Sequence, residues 1–151
     1  MKLIDIKPEN INENYIYFNE PIQNTIINES RFIRIIYSTP DVILNGIHVL
    51  FKLNIENLDK QYNKNIIYYD VKLNSEIIEK INNVEEIILN KYKTKKEKSL
   101  NLFTQLDSGN IKLFSENIEK RKILDIILKI SGLWENESHY GITYKFLSIT
   151  D

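Results

Sequence analysis

The chain has 151 residues, with 20 Lys plus Arg against 21 Asp plus Glu and a formal net charge of −1, so attraction for a polyanion must come from a local patch. It contains no cysteine, which excludes a disulfide framework, a thiolate metal site, an iron–sulfur cluster and a cysteine nucleophile, and suits a reducing compartment. A chain of this length fits one β-rich domain, 1–151, and can bury roughly 70% of the surface its unfolded form exposes.

The start, Met1-Lys2-Leu3-Ile4-Asp5-Ile6-Lys7-Pro8, lacks the apolar run of a signal peptide, and no segment approaches the roughly 20 apolar residues that span a bilayer, so a soluble, cytoplasmic protein with no membrane partner is expected. Isoleucine, asparagine, lysine and tyrosine are abundant and alanine is absent. AT-rich codons encode that group, so the excess of Lys over Arg carries no functional weight by itself.

Taken in chain order, period-two segments of β-branched and aromatic residues dominate and predict strands. The first runs from Asn14 to Phe18 and the second from Arg31 to Tyr37, with Phe32, Arg34 and Ile36 on one face and Ile33, Ile35 and Tyr37 on the other. Ser38-Thr39-Pro40-Asp41 reads as a turn, and Asn45-Gly46 as a tight turn or bulge inside Val42 to Leu53. In the second half of that run Ile47, Val49, Phe51 and Leu53 alternate with His48, Leu50, Lys52 and Asn54, as in a half-buried strand. Glu56 to Asn65 reads as a loop and Ile66 to Tyr69 as a short strand.

From Ser75 to about Tyr92 the period changes. Ile77, Ile81, Val84 and Ile88, widened by Ile78 and Ile87, form the stripe of an amphipathic helix that Asn74 or Ser75 can cap, with Glu76, Glu79, Glu85 and Glu86 as its solvated side. The basic run Lys91 to Lys98 follows, then Asn101 to Leu106 as a strand, a turn at Asp107 to Asn110, a strand from Ile111 to Phe114 and a polar loop. A long hairpin closes the order: Leu124, Ile126, Leu128 and Ile130 on one arm, Ile142, Tyr144 and Phe146 on the other, and Glu135 to His139 between them. Strands, one central helix and strands again predict an α+β domain or a small partly open antiparallel barrel.

Catalytic signals are sparse. With His48 and His139 alone, and no glycine-rich loop, no metal cluster, cofactor site or phosphate cradle assembles from local motifs, and an enzyme is not expected. His48 reads as surface or cross-strand packing and His139 as a turn residue. Binding signals are richer: nine tyrosines, six phenylalanines and one tryptophan stand among strands that carry cations. Rings stack bases at roughly 1–3 kcal/mol each while Lys and Arg neutralise phosphates. Phe32, Phe51, Phe103 and Phe146 are expected in the core. Tyr68, Tyr69, Trp134 and Tyr144 are the candidates for exposed rings, and Arg34, Lys52, Lys91, Lys93, Lys95, Lys129 and Lys145 for phosphate contacts; the run Lys91 to Lys98 is either a solvated helix end or a phosphate track.

Leu128-Lys129-Ile130-Ser131-Gly132-Leu133-Trp134-Glu135, continued by Tyr140-Gly141-Ile142-Thr143-Tyr144-Lys145-Phe146, resembles a C-terminal hairpin in small OB-fold-like, phage-type single-stranded DNA-binding proteins of large double-stranded DNA viruses. The order of the upstream elements from about Arg31 fits the same layout. The resemblance implies an OB-like barrel and non-catalytic, sequence-independent binding of single-stranded nucleic acid in viral replication, in the host cytoplasm or a viral factory. It implies a place in the hairpin signature for Lys129, Trp134, Tyr144 and Lys145; a structural role is equally open, with Gly132 providing a bulge, Trp134 plugging a barrel end and Gly141 reopening the strand. Those proteins end in an acidic tail, whereas this chain ends Ser148-Ile149-Thr150-Asp151, so tail-mediated recruitment is not expected. The alternative is a structural or protein-interaction module, such as a minor virion component or assembly adaptor that forms a homo-oligomer through a strand edge.

Overall fold

A computed structural model describes residues 5–23, 30–114 and 118–149; residues 1–4, 24–29 and 150–151 and the centre of the polar loop expected after Phe114 lie outside them. Two 3-10 turns, Pro8–Asn10 and Glu13–Tyr15, lead into β1 (Ile16–Phe18), β2 (Ile22–Gln23) and β3 (Arg31–Ser38). The expected turn follows β3, closed by Thr39, whose N–H donates to the Val42 carbonyl at 2.9 Å and whose Oγ1 accepts from Val42 N–H at 3.1 Å. β4 (Ile43–Asn45) returns along β3, and β5 (Ile47–Asn54) departs from it. Gly46 makes the corner with φ +90°, and a Cβ there would lie 2.6 Å from the Ile130 carbonyl oxygen, so both conformation and space demand glycine.

β6 (Asn57–Gln61) and β7 (Lys64–Tyr68) form a hairpin where a loop is expected. Its first strand is the outermost of the sheet and mostly exposed, so apart from Leu58, which packs on the core, its side chains are polar and carry no alternating pattern. The expected helix is α1 (Ser75–Lys91). β8 (Glu97–Lys98) then precedes α2 (Asn101–Asp107), a helix in place of the expected strand, so the single central helix becomes two. Leu102 and Leu106, four residues apart, are both fully buried beneath it. β9 (Asn110–Leu113), β10 (Ile123–Glu135) and β11 (His139–Ser148) complete the chain.

The strands form one open sheet with the path β1-β3-β10-β11-β9-β7-β6, and β5 also pairs with β10. β10 organises it. One edge of β10 bonds β11 from Ile126 to Glu135; the other bonds β5 from Ile123 to Ile130 and then β3 from Gly132 to Glu135, so two strands lie end to end along one neighbour. The inner face carries Ile33, Ile35, Tyr37, Val49, Phe51, Leu53, Ile126, Leu128 and Phe146 into one core with Ile81, Val84 and Ile88 of α1 and the two leucines of α2. The architecture is therefore β-rich α+β. Among the described residues no helix is long and apolar enough to cross a membrane.

Candidate nucleic-acid interface

Residues directly opposed in an antiparallel pair share a face, so the register of β10 determines what the outer face of the sheet displays. Ile130 stands opposite Tyr144 and Gly132 opposite Thr143, which leaves Ser131 as a bulge, next to the glycine for which a bulge is an expected option. The extra residue inverts the parity of β10. Before it the even-numbered residues Leu124 to Ile130 point inward; after it Leu133 and Glu135 do, and Gly132 and Trp134 join Lys129 outside.

Five cross-strand rows result. They are Lys52 and Asp125; Leu50, Ile127 and Leu147; His48, Lys129 and Lys145; Arg34, Gly132 and Thr143; and Ile22, Phe32, Trp134 and Gly141. The Lys52 ammonium pairs with Asp125, the one acid in these rows, at 2.9 Å. Lys129 and Lys145 have no carboxylate at ion-pair distance among the described residues, and they face each other as like charges, an arrangement that costs stability. Burial, then the Lys129 ammonium, hold the His48 imidazole below its ordinary value, with Asp5 opposing, so it is neutral near pH 7.

The rings of the last row rest on glycines. A Cβ on Gly132 would meet the Ile33 carbonyl oxygen and, at 2.7 Å, Cε1 of Phe32; one on Gly141 would lie 2.7 Å from Cζ2 of Trp134. Phe32 and Trp134 thus reach over the strand beside them, half-buried, and the Arg34 guanidinium sits 5.6 Å from the Phe32 ring centroid as a cation–π partner. Ile22 at the row's edge is 58% exposed.

Of the residues singled out from the sequence, the fold brings Arg34, Lys52, Lys129, Trp134 and Lys145 onto this one face. Two are corrected. Tyr69 is not an exposed ring: it is 5% exposed, its hydroxyl donates to the Leu106 carbonyl at 2.6 Å, and burial pushes its ionisation up. Tyr144 lies on the inner face, edge-on to Phe146 at 5.4 Å, with its hydroxyl pushed up to about 12 by burial. Tyr68 is exposed on β7, Lys91 is half-buried at the end of α1, and Lys93 and Lys95 are exposed in the loop beyond; none of the four joins the rows. Phe32, expected in the core, belongs to the face instead, and His48, expected as surface or cross-strand packing, stands opposite Lys129 on it. Phe32 shares a face with Arg34 in the period-two pattern, and that cation is the signal that the face meets solvent.

Two carboxylates are buried away from the face. Glu85, expected on the solvated side of α1, is 0% exposed and accepts the Leu102 and Phe103 N–H groups at 2.9 Å each. Glu135, 1% exposed, pairs with the Arg31 guanidinium, with Lys96 Nζ at 3.4 Å and with the Tyr92 hydroxyl at 3.3 Å. Within the basic run, Lys96 is therefore held by Glu135 and Lys98 by Glu86, at 2.8 Å. Among the described residues no group of three or more His, Cys, Asp or Glu is placed to hold a metal ion. No protein-family model, curated protein or solved structure matches this chain.

Proposed function

We propose that the chain is a non-catalytic, sequence-independent single-stranded nucleic-acid binder, of the kind used in viral DNA replication, and that the outer face of β3, β5, β10 and β11 is its binding surface. The supporting observation is the juxtaposition on β10: Lys129 and Lys145 unneutralised, Arg34 in the next row, and the Phe32 and Trp134 rings in the row after that. Phosphates relieve the repulsion between the lysines, while base faces stack on the rings without regard to sequence. The finer fold reading goes with this function: an OB-like layout, supported by the long β10 shared between two partners on one edge and by α1 under the inner face.

Trp134 is the one tryptophan, so its fluorescence reports on the surface directly. Titration with oligothymidylate should quench it, with affinity falling steeply as salt is added. Replacing Lys129 and Lys145 together by Gln should reduce the slope of log affinity against log salt by about 1.4, the share of two phosphate contacts on a single strand. A salt-independent interaction, or none, overturns the reading.

A second reading, an interaction module that self-associates, is favoured by Tyr17, Ile22 and Ile43, which are 56%, 58% and 74% exposed on strands that pair with β3. Light scattering separates the two: stable self-assembly without oligonucleotide binding selects the module.

A further inference from the structure

The row of the two lysines also contains a titratable group without a salt bridge among the described residues. His48 stands directly opposite Lys129, which stands directly opposite Lys145, so three bases cross three adjacent strands without an acid between them. We propose that this row is a phosphate-binding site that takes up one proton from solvent, at His48, when it is filled; the inference rests on the binding surface proposed above.

The electrostatic surroundings support this. On β5 the same-face neighbour of His48 is Leu50, and the corner before the strand is Gly46, both uncharged. From β10 comes the Lys129 ammonium, with Lys145 of β11 beyond it, and from β3 comes Arg34 in the next row. The segment on the other side of β5, tied to it by Ile6 N–H to the His48 carbonyl at 2.9 Å and Leu50 N–H to the Ile6 carbonyl at 2.8 Å, carries Asp5, and the Pro8–Asn10 turn that packs on β5 carries the exposed Glu9. Cations outweigh acids around the ring in the free protein. A phosphate oxyanion seated between Lys129 and Lys145 reverses that balance, because its charge offsets the ammonium repulsion and attracts an imidazolium. Since binding then favours the protonated ring, protonation must equally favour binding.

The test uses the full chain with two probes, a short oligothymidylate and inorganic tripolyphosphate, from about pH 8 down to about pH 5.5 across the ordinary range of histidine. For the wild type, oligothymidylate affinity should rise on the order of fivefold or more over that range. H48Q should bind at the wild-type level of the upper pH and stay flat, and H139Q should follow the wild type. By proton NMR, the His48 ring midpoint should move upward when either probe is present. K129Q, without any probe, should also raise that midpoint while weakening binding. If wild type and H48Q share one pH profile, or the midpoint is indifferent to bound probe, proton uptake is refuted and nucleic-acid binding stands. If tripolyphosphate moves the ring but oligothymidylate does not bind, the phosphate site stands and the nucleic-acid reading falls. Failure of both probes to bind refutes both.

Discussion

Glu85 of α1 caps α2 from outside the helix, each of its two carboxylate oxygens accepting one N–H, Oε2 from Leu102 and Oε1 from Phe103. A seven-residue helix has too few internal bonds to stand alone, so this contact between two helices helps to hold α2 in place. Glu85→Ala leaves two donors without partners beneath the surface and should cost about 2–4 kcal/mol of stability in urea denaturation. Burial raises the pKa of this carboxyl above its ordinary 4.5, against the two N–H bonds and helped by the charge of Glu86. The folded chain therefore holds this proton more tightly than the unfolded one. That contribution is complete below the unfolded value and is lost as pH rises through the folded one. Wild-type stability, measured relative to Glu85→Gln, should accordingly fall as pH climbs from 4.5.

Gly132→Ala drives a methyl group into the Ile33 carbonyl and the Phe32 ring. The backbone atom has no room to yield, so a loss of about 2–4 kcal/mol is expected, with the pairing of β3 to β10 disturbed. Gly141→Ala meets the ends of two side chains, Asn101 Oδ1 at 2.5 Å and the Trp134 ring, and should cost less. It should shift the tryptophan emission maximum to the red as the ring lifts into water.

How much of this was legible in the sequence depends on distance along the chain. The inward faces of β3, β5 and β10 follow from alternation, and α1 from its four-and-three spacing, because each is a local pattern. α2 carries a helical pair, Leu102 and Leu106, but a helix this short also reads as a strand, and its cap comes from Glu85, sixteen residues before its first residue. The candidate surface is harder still. Lys129 and Trp134 have opposite parity, so alternation alone assigns them to opposite sides; Ser131 brings them together, and only the pairing of β10 with β11 reveals it. Tyr68 and Tyr69 are adjacent in sequence and point to opposite sides of the chain, Tyr69 with the buried Ile67, and the Leu106 carbonyl that accepts from its hydroxyl lies 37 residues away.

The Lys129 and Lys145 pair sets stability against binding. Lys145→Glu turns a cross-strand repulsion into an attraction and should stabilise the free protein by about 0.2–1 kcal/mol. The same change should weaken oligothymidylate binding, and added salt should stabilise the wild type more than the variant. A variant that loses stability along with binding contradicts this account.

Glu135 fastens the basic loop to the sheet through Lys96 and Tyr92, and β3 through Arg31. Arg31 is about half exposed and regains water when released, so Glu135→Gln should cost about 1–3 kcal/mol, below the cost of breaking a fully buried pair. Amide exchange should quicken from Lys93 to Lys98, where β8 is held along β11.

The long strand β10 joins partners that precede it by roughly 70 to 100 residues. During synthesis β3 and β5 leave the ribosome well before the segment that they flank, so the edges that β10 covers wait unpaired until it emerges. Such a chain should fold slowly for its size, and a product truncated before Ile123 should expose two unmatched strand edges and aggregate.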